Sequence, residues 1–237
     1  MTDRYRRIYA DAPEVYDRLV GQEDCEGRLL SALRGIAPLD GDIVEFGAGT
    51  GRLTRLLAPS ARSLRAFDAS PAMLTLARGL LPPRPALALA TAANHALPVP
   101  SASADLALAG WTFGHATGWN PDGWEVEIRT CLDEMQRVLR PGGTAIVIET
   151  LGTGRTEPEP PNAALASYYR LLESLGFRRG WIRTDYRFAT REEADRLCLA
   201  FFGATFELVV EETSWRLPEC TGLWSRRNGS FLSGLGQ

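Results

Sequence analysis

Four cysteines are scattered along 237 residues, at positions 25, 131, 198 and 220. There is no Cys-x-x-Cys pair and no nearby histidine partner, which argues against a disulfide framework and against a metal site. Long hydrophobic runs are missing as well. No segment approaches the ~20 apolar residues that cross a bilayer. The first residues, Met-Thr-Asp-Arg-Tyr-Arg-Arg, are polar and arginine-rich, unlike a secretory leader. The cytoplasm is therefore the expected address. A surplus of positive charge is also absent: Lys and Arg number 26 against 29 acidic residues, a formal net charge of -3. Nothing in that balance recruits nucleic acid or an anionic membrane. The small clusters Arg4, Arg6, Arg7 and Arg226, Arg227 read as solvated faces.

What is present suits one globular unit. A chain of this length buries about 70–75% of its unfolded surface, and its 45% hydrophobic content is ordinary for such a fold. The most informative stretch is Ile43-Val-Glu-Phe-Gly-Ala-Gly-Thr-Gly51. An apolar strand meets a carboxylate, Glu45, and then Gly47, Gly49 and Gly51 at every second position. Glycine permits positive φ and close backbone approach, so a ligand can lie against this strand-to-helix turn. The pattern is GxGxG rather than the GxGxxG of nicotinamide enzymes, so the third glycine that serves a pyrophosphate is lacking. Glu45 ahead of the loop suits a cationic ligand better than a phosphate. An ordinary glycine-rich turn gives the same pattern.

About twenty residues on, Leu64-Arg-Ala-Phe-Asp68 ends a second apolar strand in a carboxylate. A βαβ unit places its ribose-gripping acid here. Asp68 reads equally as the start of the turn Asp-Ala-Ser-Pro71, with Ser70 as N-cap and Pro71 as first helical residue. The two readings are compatible.

Together, Glu45-Phe-Gly-Ala-Gly-Thr-Gly51, Asp68-Ala-Ser-Pro-Ala-Met73-Leu, Ala96-Leu-Pro98 and Arg137-Val-Leu-Arg-Pro-Gly-Gly143 resemble the class I S-adenosylmethionine-dependent methyltransferases. The branch resembled is that of the quinone C-methyltransferases and many small-molecule methyltransferases. The resemblance covers roughly residues 40 to 150. It implies an α/β, Rossmann-like, seven-stranded, mostly parallel sheet with helices on both faces and an antiparallel last strand. It implies S-adenosyl-L-methionine as cofactor, with the loop Gly47, Ala48, Gly49, Gly51 and Glu45 at the methionine part. Asp68 and Ala69 would meet the ribose, and Met73 would pack near the adenine or serve simply as core. One departure stands out: the family's adenine-side Asp falls on Ala93, which leaves Asn94 and His95 as the adjacent polar candidates. His95 reads equally as a solvated loop histidine.

The hydrophobic pattern predicts helix over 12–36, broken near Gly21, and strands at 42–46, 63–67, 86–90, 104–109 and 144–149. The run Leu81-Pro-Pro-Arg-Pro85 stops the Ser70-capped helix. Asp122 with Glu125 resembles a capping box for a helix whose stripe is Ile128, Leu132, Met135 and Leu139. Beyond Thr150 the pattern predicts a loop at 152–161, helix at 163–175, a strand over 180–188, a Thr190-capped helix and a last strand at 217–226. The resemblance makes 190–212 an insertion in the closing hairpin. The layout is thus a single domain over 1–237. It comprises a helical lid (1–36), a cofactor-binding core (40–150), a substrate-side segment (151–216), and the last strand and tail (217–237). The last ten residues read as frayed.

Open α/β sheets bind ligands beyond the carboxyl ends of their strands. Gly110-Trp-Thr-Phe-Gly-His115 falls there: Gly110, Trp111 and Phe113 against cofactor or acceptor, and His115 as the available general base or a structural histidine. Tyr5, Tyr9 and Tyr16 recur at roughly helical spacing in the lid. Tyr16 is placed at the cofactor and Tyr5 and Tyr9 at the acceptor, with core packing as the alternative. Trp119 and Trp124 either line the acceptor pocket or anchor the loop before residue 122. Tyr168, Tyr169, Trp181 and Tyr186 add rings from the later segment, Tyr168 at the acceptor. So many aromatics favour a small apolar or aromatic methyl acceptor over a polymer. Binding of the cofactor without methyl transfer, as a regulator or scaffold, is the alternative.

Overall fold

The structure is a computed structural model that describes residues 2–229; residue 1 and residues 230–237, which include most of the segment expected to fray, lie outside the described residues. Within that segment Asn228 is held, donating its backbone N–H to the Gly143 carbonyl at 2.7 Å.

The chain order is α1 (Thr2–Asp11), α2 (Pro13–Val20), α3 (Arg28–Ile36), β1 (Asp42–Phe46), α4 (Arg52–Leu57), β2 (Ser63–Asp68), α5 (Pro71–Leu80), β3 (Leu87–Thr91) and β4 (Ala104–Gly110). After a 3-10 turn (Phe113–His115) come α6 (Ala116–Trp119), α7 (Trp124–Val138), β5 (Leu139–Thr153), α8 (Ala163–Ser174), β6 (Arg178–Arg183), β7 (Tyr186–Phe188), α9 (Arg191–Phe202), β8 (Val209–Val210), β9 (Trp215–Leu217) and β10 (Glu219–Arg227). The main sheet has seven strands in the order β3-β2-β1-β4-β5-β10-β6. The first five are parallel to one another, and β10 runs antiparallel to both its neighbours. This is the sheet expected.

Residues alternate strictly between its two faces, because a strand presents successive side chains to opposite sides. Ile43, Leu106, Leu108, Ile146 and Ile148 meet Leu29, Leu33, Leu53 and Leu57 of α3 and α4. Val44, Phe46, Ala107, Ala109 and Val147 meet Ile128, Leu132 and Met135 of α7 and the tyrosines of α8. Both faces are covered, so the central strands read as continuous apolar runs. A third cluster joins Ile8 and Leu19 of the N-terminal helices to Tyr186, Phe188, Leu197, Phe201 and Leu217. It fastens the N-terminal segment to the segment after β5.

Several expectations are corrected. Helix already begins at Thr2, and the N-terminal segment breaks at Ala12 as well as at Gly21, since Pro13 starts α2 afresh. Asp122 caps nothing: α7 starts at Trp124 after Gly123, whose N–H donates to Asn120 Oδ1 at 3.1 Å. Asn120 also donates to Glu127, so it organises the turn in place of the expected box. Leu139 is the first residue of β5, not the end of the α7 stripe; β5 starts five residues earlier than expected and runs on to Thr153. The single strand expected over 180–188 is two, in different sheets. The chain leaves the main sheet at Thr184 and Asp185, and β7 joins β9 and β8 in a small antiparallel sheet that sequence patterning did not reveal. The Thr190 cap forms as expected, with Oγ1 accepting the Glu193 N–H at 3.1 Å.

Candidate functional site

At the carboxyl end of β1 the chain turns through Gly47, Gly49 and Gly51, with φ of +65°, +56° and +86°. L side chains rarely adopt that region. A Cβ on Gly47 would lie 2.3 Å from Thr112 Oγ1, so the loop and the segment after β4 approach as closely as backbone allows. Asp68, at the end of β2, fixes the loop from beside it. One carboxylate oxygen accepts the Gly49 N–H at 2.8 Å and the other the Ser70 N–H at 2.7 Å. Burial raises the Asp68 pKa while these two bonds oppose the rise.

A cavity of about 760 Å³ opens in front of this constellation. Among the residues expected at a cofactor, Tyr16, Gly47, Gly49, Asp68, Ala69, Met73, Asn94, His95, Gly110 and Trp111 line it. Glu45, Ala48 and Gly51 do not. Glu45 points behind the loop, accepts the Thr54 hydroxyl at 2.6 Å, and is pushed up to about 8 by burial. Ala48 is buried and donates its N–H to the Phe67 carbonyl at 2.8 Å, tying β1 to β2, while Gly51 is the residue preceding α4. Asn94 donates to Thr112 Oγ1 at 3.1 Å, and its buried Oδ1 has no hydrogen-bond partner. His95 is exposed at the rim.

A second chamber of about 380 Å³ lies on the far side of a wall of rings. Tyr9, Tyr16, Trp111, His115 and Trp119 border both spaces. The Tyr9 hydroxyl and His115 Nε2 are 3.1 Å apart, and His115 stacks on Trp119 with centroids 4.6 Å apart. Burial pushes His115 down to about 4, so its imidazole is neutral near pH 7. Trp111 takes φ of +50° directly after β4, and the Arg52 guanidinium sits 4.0 Å from its ring. Such cation–π contact is strongest where water is excluded. The N-terminal segment reaches over the loop: Ser70 Oγ donates to the Tyr9 carbonyl at 2.7 Å.

Among the residues expected at an acceptor, Tyr9, Phe113 and Trp119 line the larger cavity, and Tyr5, Tyr9 and Trp119 line the chamber. Tyr168 lines neither. It lies fully buried on the sheet-facing side of α8, where its hydroxyl donates to Glu149 at 3.4 Å. Tyr169 packs on Trp224, Trp124 packs against the core, and Trp181 lies on β6, exposed; only Tyr186 of that group reaches the chamber. Sequence reasoning missed Glu23, Arg52, Glu149 and Glu219, all at the chamber. Glu149 carried a usable signal, a carboxylate closing an apolar strand as Asp68 does. Glu149 Oε1 accepts the Gly114 N–H at 2.9 Å, and burial pushes this acid up to about 8.

Residues 44–147 match the family model described as a methyltransferase domain. A malonyl-[acyl-carrier protein] O-methyltransferase of Halorhodospira halophila is 32% identical over 150 residues, covering 62% of this chain and 48% of that one. This chain spans about half the length of the curated relatives it matches. Among solved structures, the N-methyltransferase NodS of Bradyrhizobium japonicum in complex with S-adenosylhomocysteine is similar with a TM-score of 0.56 at 16% identity, covering 96% of this chain and 97% of that one. The DhpI–S-adenosylhomocysteine complex has a TM-score of 0.57 at 16% identity, covering 97% and 98%. At such identity these two speak for the fold alone. With the motif set and the strand order in agreement with the matched domain, the chain carries a region similar to a methyltransferase domain on a sheet of the class I S-adenosylmethionine-dependent methyltransferase type.

Proposed function

We propose that this chain transfers the methyl group of S-adenosylmethionine to a small organic acceptor held in the inner chamber. The observation that carries this reading is the wall of Tyr9, Tyr16, Trp111, His115 and Trp119, which separates a glycine-loop cavity from a second, ring-lined chamber and borders both. The residues present suit the cofactor. Gly47 and Gly49 leave room where a Cβ would intrude, Asp68 offers acceptor capacity for ribose hydroxyls, and the orphaned Asn94 Oδ1 is a ready acceptor for the adenine amino group. Met73 and Ala69 flank that end, while Tyr16 and Trp111 stand at the methionine end. When bound, the cofactor supplies a methyl group already activated on a sulfonium.

The protein's own share is then orientation and exclusion of water. Holding the acceptor atom in line is worth ~7–11 kcal/mol from geometry alone. The aromatic faces of the wall favour a cation and keep the site dry. His115, neutral and bonded to Tyr9, positions the wall and is a weak base. The N-terminal helices act as the lid, and the cytoplasm, with no nucleic-acid or membrane partner, completes the proposal. Cofactor binding without transfer is the weaker alternative, because a pure binding protein has no use for a second chamber beyond the wall.

A second reading takes its acceptor from the relatives named for malonyl-[acyl-carrier protein]: methylation of a carboxylate oxygen. The unpartnered, buried Nη2 of Arg52 favours it. Titration calorimetry with S-adenosylhomocysteine and NAD, followed by tritiated-methyl transfer to a panel of small acceptors, tests the main reading. Binding of S-adenosylhomocysteine and label transfer to a small molecule are expected. Binding of NAD alone, or no transfer to any acceptor, removes it.

A further inference from the structure

The chamber has an acidic floor that the methyl-transfer reading alone does not use. Glu149 enters from β5 and Glu219 from the first residue of β10, whose neighbours pair with β5. They are 4% and 2% exposed. Glu219 Oε1 accepts the Thr150 hydroxyl at 2.6 Å, while its Oε2 is buried without any partner. Some buried carboxylates elsewhere in the chain take an arginine, as Glu134 does at 2.7 Å from Arg137, while Glu45 takes only the Thr54 hydroxyl and does not open on a cavity. These two have no cation of their own. All 26 basic residues of the chain are arginines. Among the described residues lining the chamber Arg52 is the only one, and it is paired with Glu23 at 2.8 Å and laid over Trp111. Three carboxyl groups thus face one guanidinium, beside a neutral His115.

An unpaired acid in an apolar pocket is costly, and it either keeps its proton or waits for a cation. The opposite wall is made of rings, which also favour a cation over a neutral group. A carboxylate ligand would meet three acidic side chains and a guanidinium whose Nη1 is already engaged by Glu23.

We propose that the methyl acceptor is a small amine, whose ammonium form pairs with Glu149 and Glu219 and whose nitrogen is the methylated atom. This rests on the methyl-transfer reading above and names its substrate class. The ammonium gives a proton to a carboxylate of the floor, leaving a neutral amine and a carboxylic acid. The nitrogen lone pair then forms the N–C bond as the methyl–sulfur bond breaks with its electrons on sulfur. The products are an N-methylammonium, held by the remaining carboxylate, and neutral S-adenosylhomocysteine.

The test uses the full chain and matched probes: methylamine, propylamine, benzylamine and phenethylamine, each against the corresponding alcohol, with 3-phenylpropionate as the carboxylate arm. Affinities are measured by calorimetry with and without S-adenosylhomocysteine, and methyl transfer by label. At least one amine should bind tenfold or more tightly than its alcohol and be N-methylated. In Glu149→Gln and Glu219→Gln that ratio should fall toward one, while S-adenosylhomocysteine affinity stays within about twofold. Should a variant fail to fold, the wild-type ratios decide alone. Equal binding of amines and alcohols, no binding by any amine, or a preference for 3-phenylpropionate overturns the proposal. Amine preference without S-adenosylhomocysteine binding would instead sink the methyl-transfer reading and leave the acidic floor as a binding site only.

Discussion

Asp68 holds two backbone N–H groups of the ligand loop, so its loss acts on the loop and on any ribose together. A hydrogen bond to a charged group contributes roughly 1.5–3 kcal/mol. Asp68→Ala is expected to weaken S-adenosylhomocysteine binding by more than tenfold in calorimetry while the circular dichroism spectrum is unchanged. Gly47→Ala attacks the same loop sterically. Its φ of +65° strains any Cβ, and Thr112 must move from 2.3 Å, so a loss of about 1–3 kcal/mol in denaturant unfolding is expected, with weaker cofactor binding. These residues were legible because local patterning exposes them: three glycines in alternation, then an acid at a strand end. Glu149 obeyed the same strand-end logic, yet Glu219 and Glu23 did not. Glu23 lies in a polar stretch without periodicity and Glu219 near the start of a strand rather than at its end, and only tertiary folding brings them to one chamber. The burial that depresses His115 was equally out of reach, since it comes from rings on α1 and α6.

Elements with a local start signal or a clear apolar run were recovered from sequence, and a boundary set only by a distant contact was not. Ser70, Asn162 and Thr190 each accept an N–H from three residues on, as an N-cap should. Thr190→Ala should therefore cost about 1 kcal/mol and lower the melting temperature by about 2–4 °C, read by calorimetric or fluorescence melting. It should also loosen the cluster in which Phe201 of α9 meets Tyr5, Tyr9 and Tyr16. The split between β6 and β7 had no such signal. It is fixed by Asp185, which accepts from Arg183 at 2.8 Å and from the Glu219 N–H at 3.0 Å. The second of these partners lies 34 residues away. Aromatic residues stand on both sides of the break, Trp181 before it and Tyr186 and Phe188 after it, so composition alone joins what the tertiary contact divides.

Across the whole molecule the buried acids set the response to pH. Burial pushes Glu45, Glu149 and Glu219 each up to about 8, whereas an unfolded chain releases these protons near the ordinary glutamate value. The folded state therefore binds more protons between those limits. These groups cost nothing below the unfolded pKa and destabilise progressively as pH rises toward 8, by at most about 1.4 kcal/mol per pH unit each. Asp42 and Glu134 act in the opposite sense, their arginine partners holding them low, so their contribution is lost on acidification. The melting temperature is expected to be higher near pH 6 than near pH 9. Glu149→Gln, lacking one ionisable group, should flatten the alkaline decline. A melting curve that rises steadily to pH 9 would contradict this assignment of buried protons.

The position of β10 between β5 and β6 has a kinetic meaning. Both of its neighbours emerge from the ribosome before it, and each presents an open hydrogen-bonding edge until it arrives. The nascent chain must therefore hold a gap in its central layer, and Glu219, the residue that opens β10, can take its place only when that gap is filled. Ligand competence then waits on the synthesis of β10, and a chain stalled before residue 219 would carry two sticky borders in place of a finished pocket.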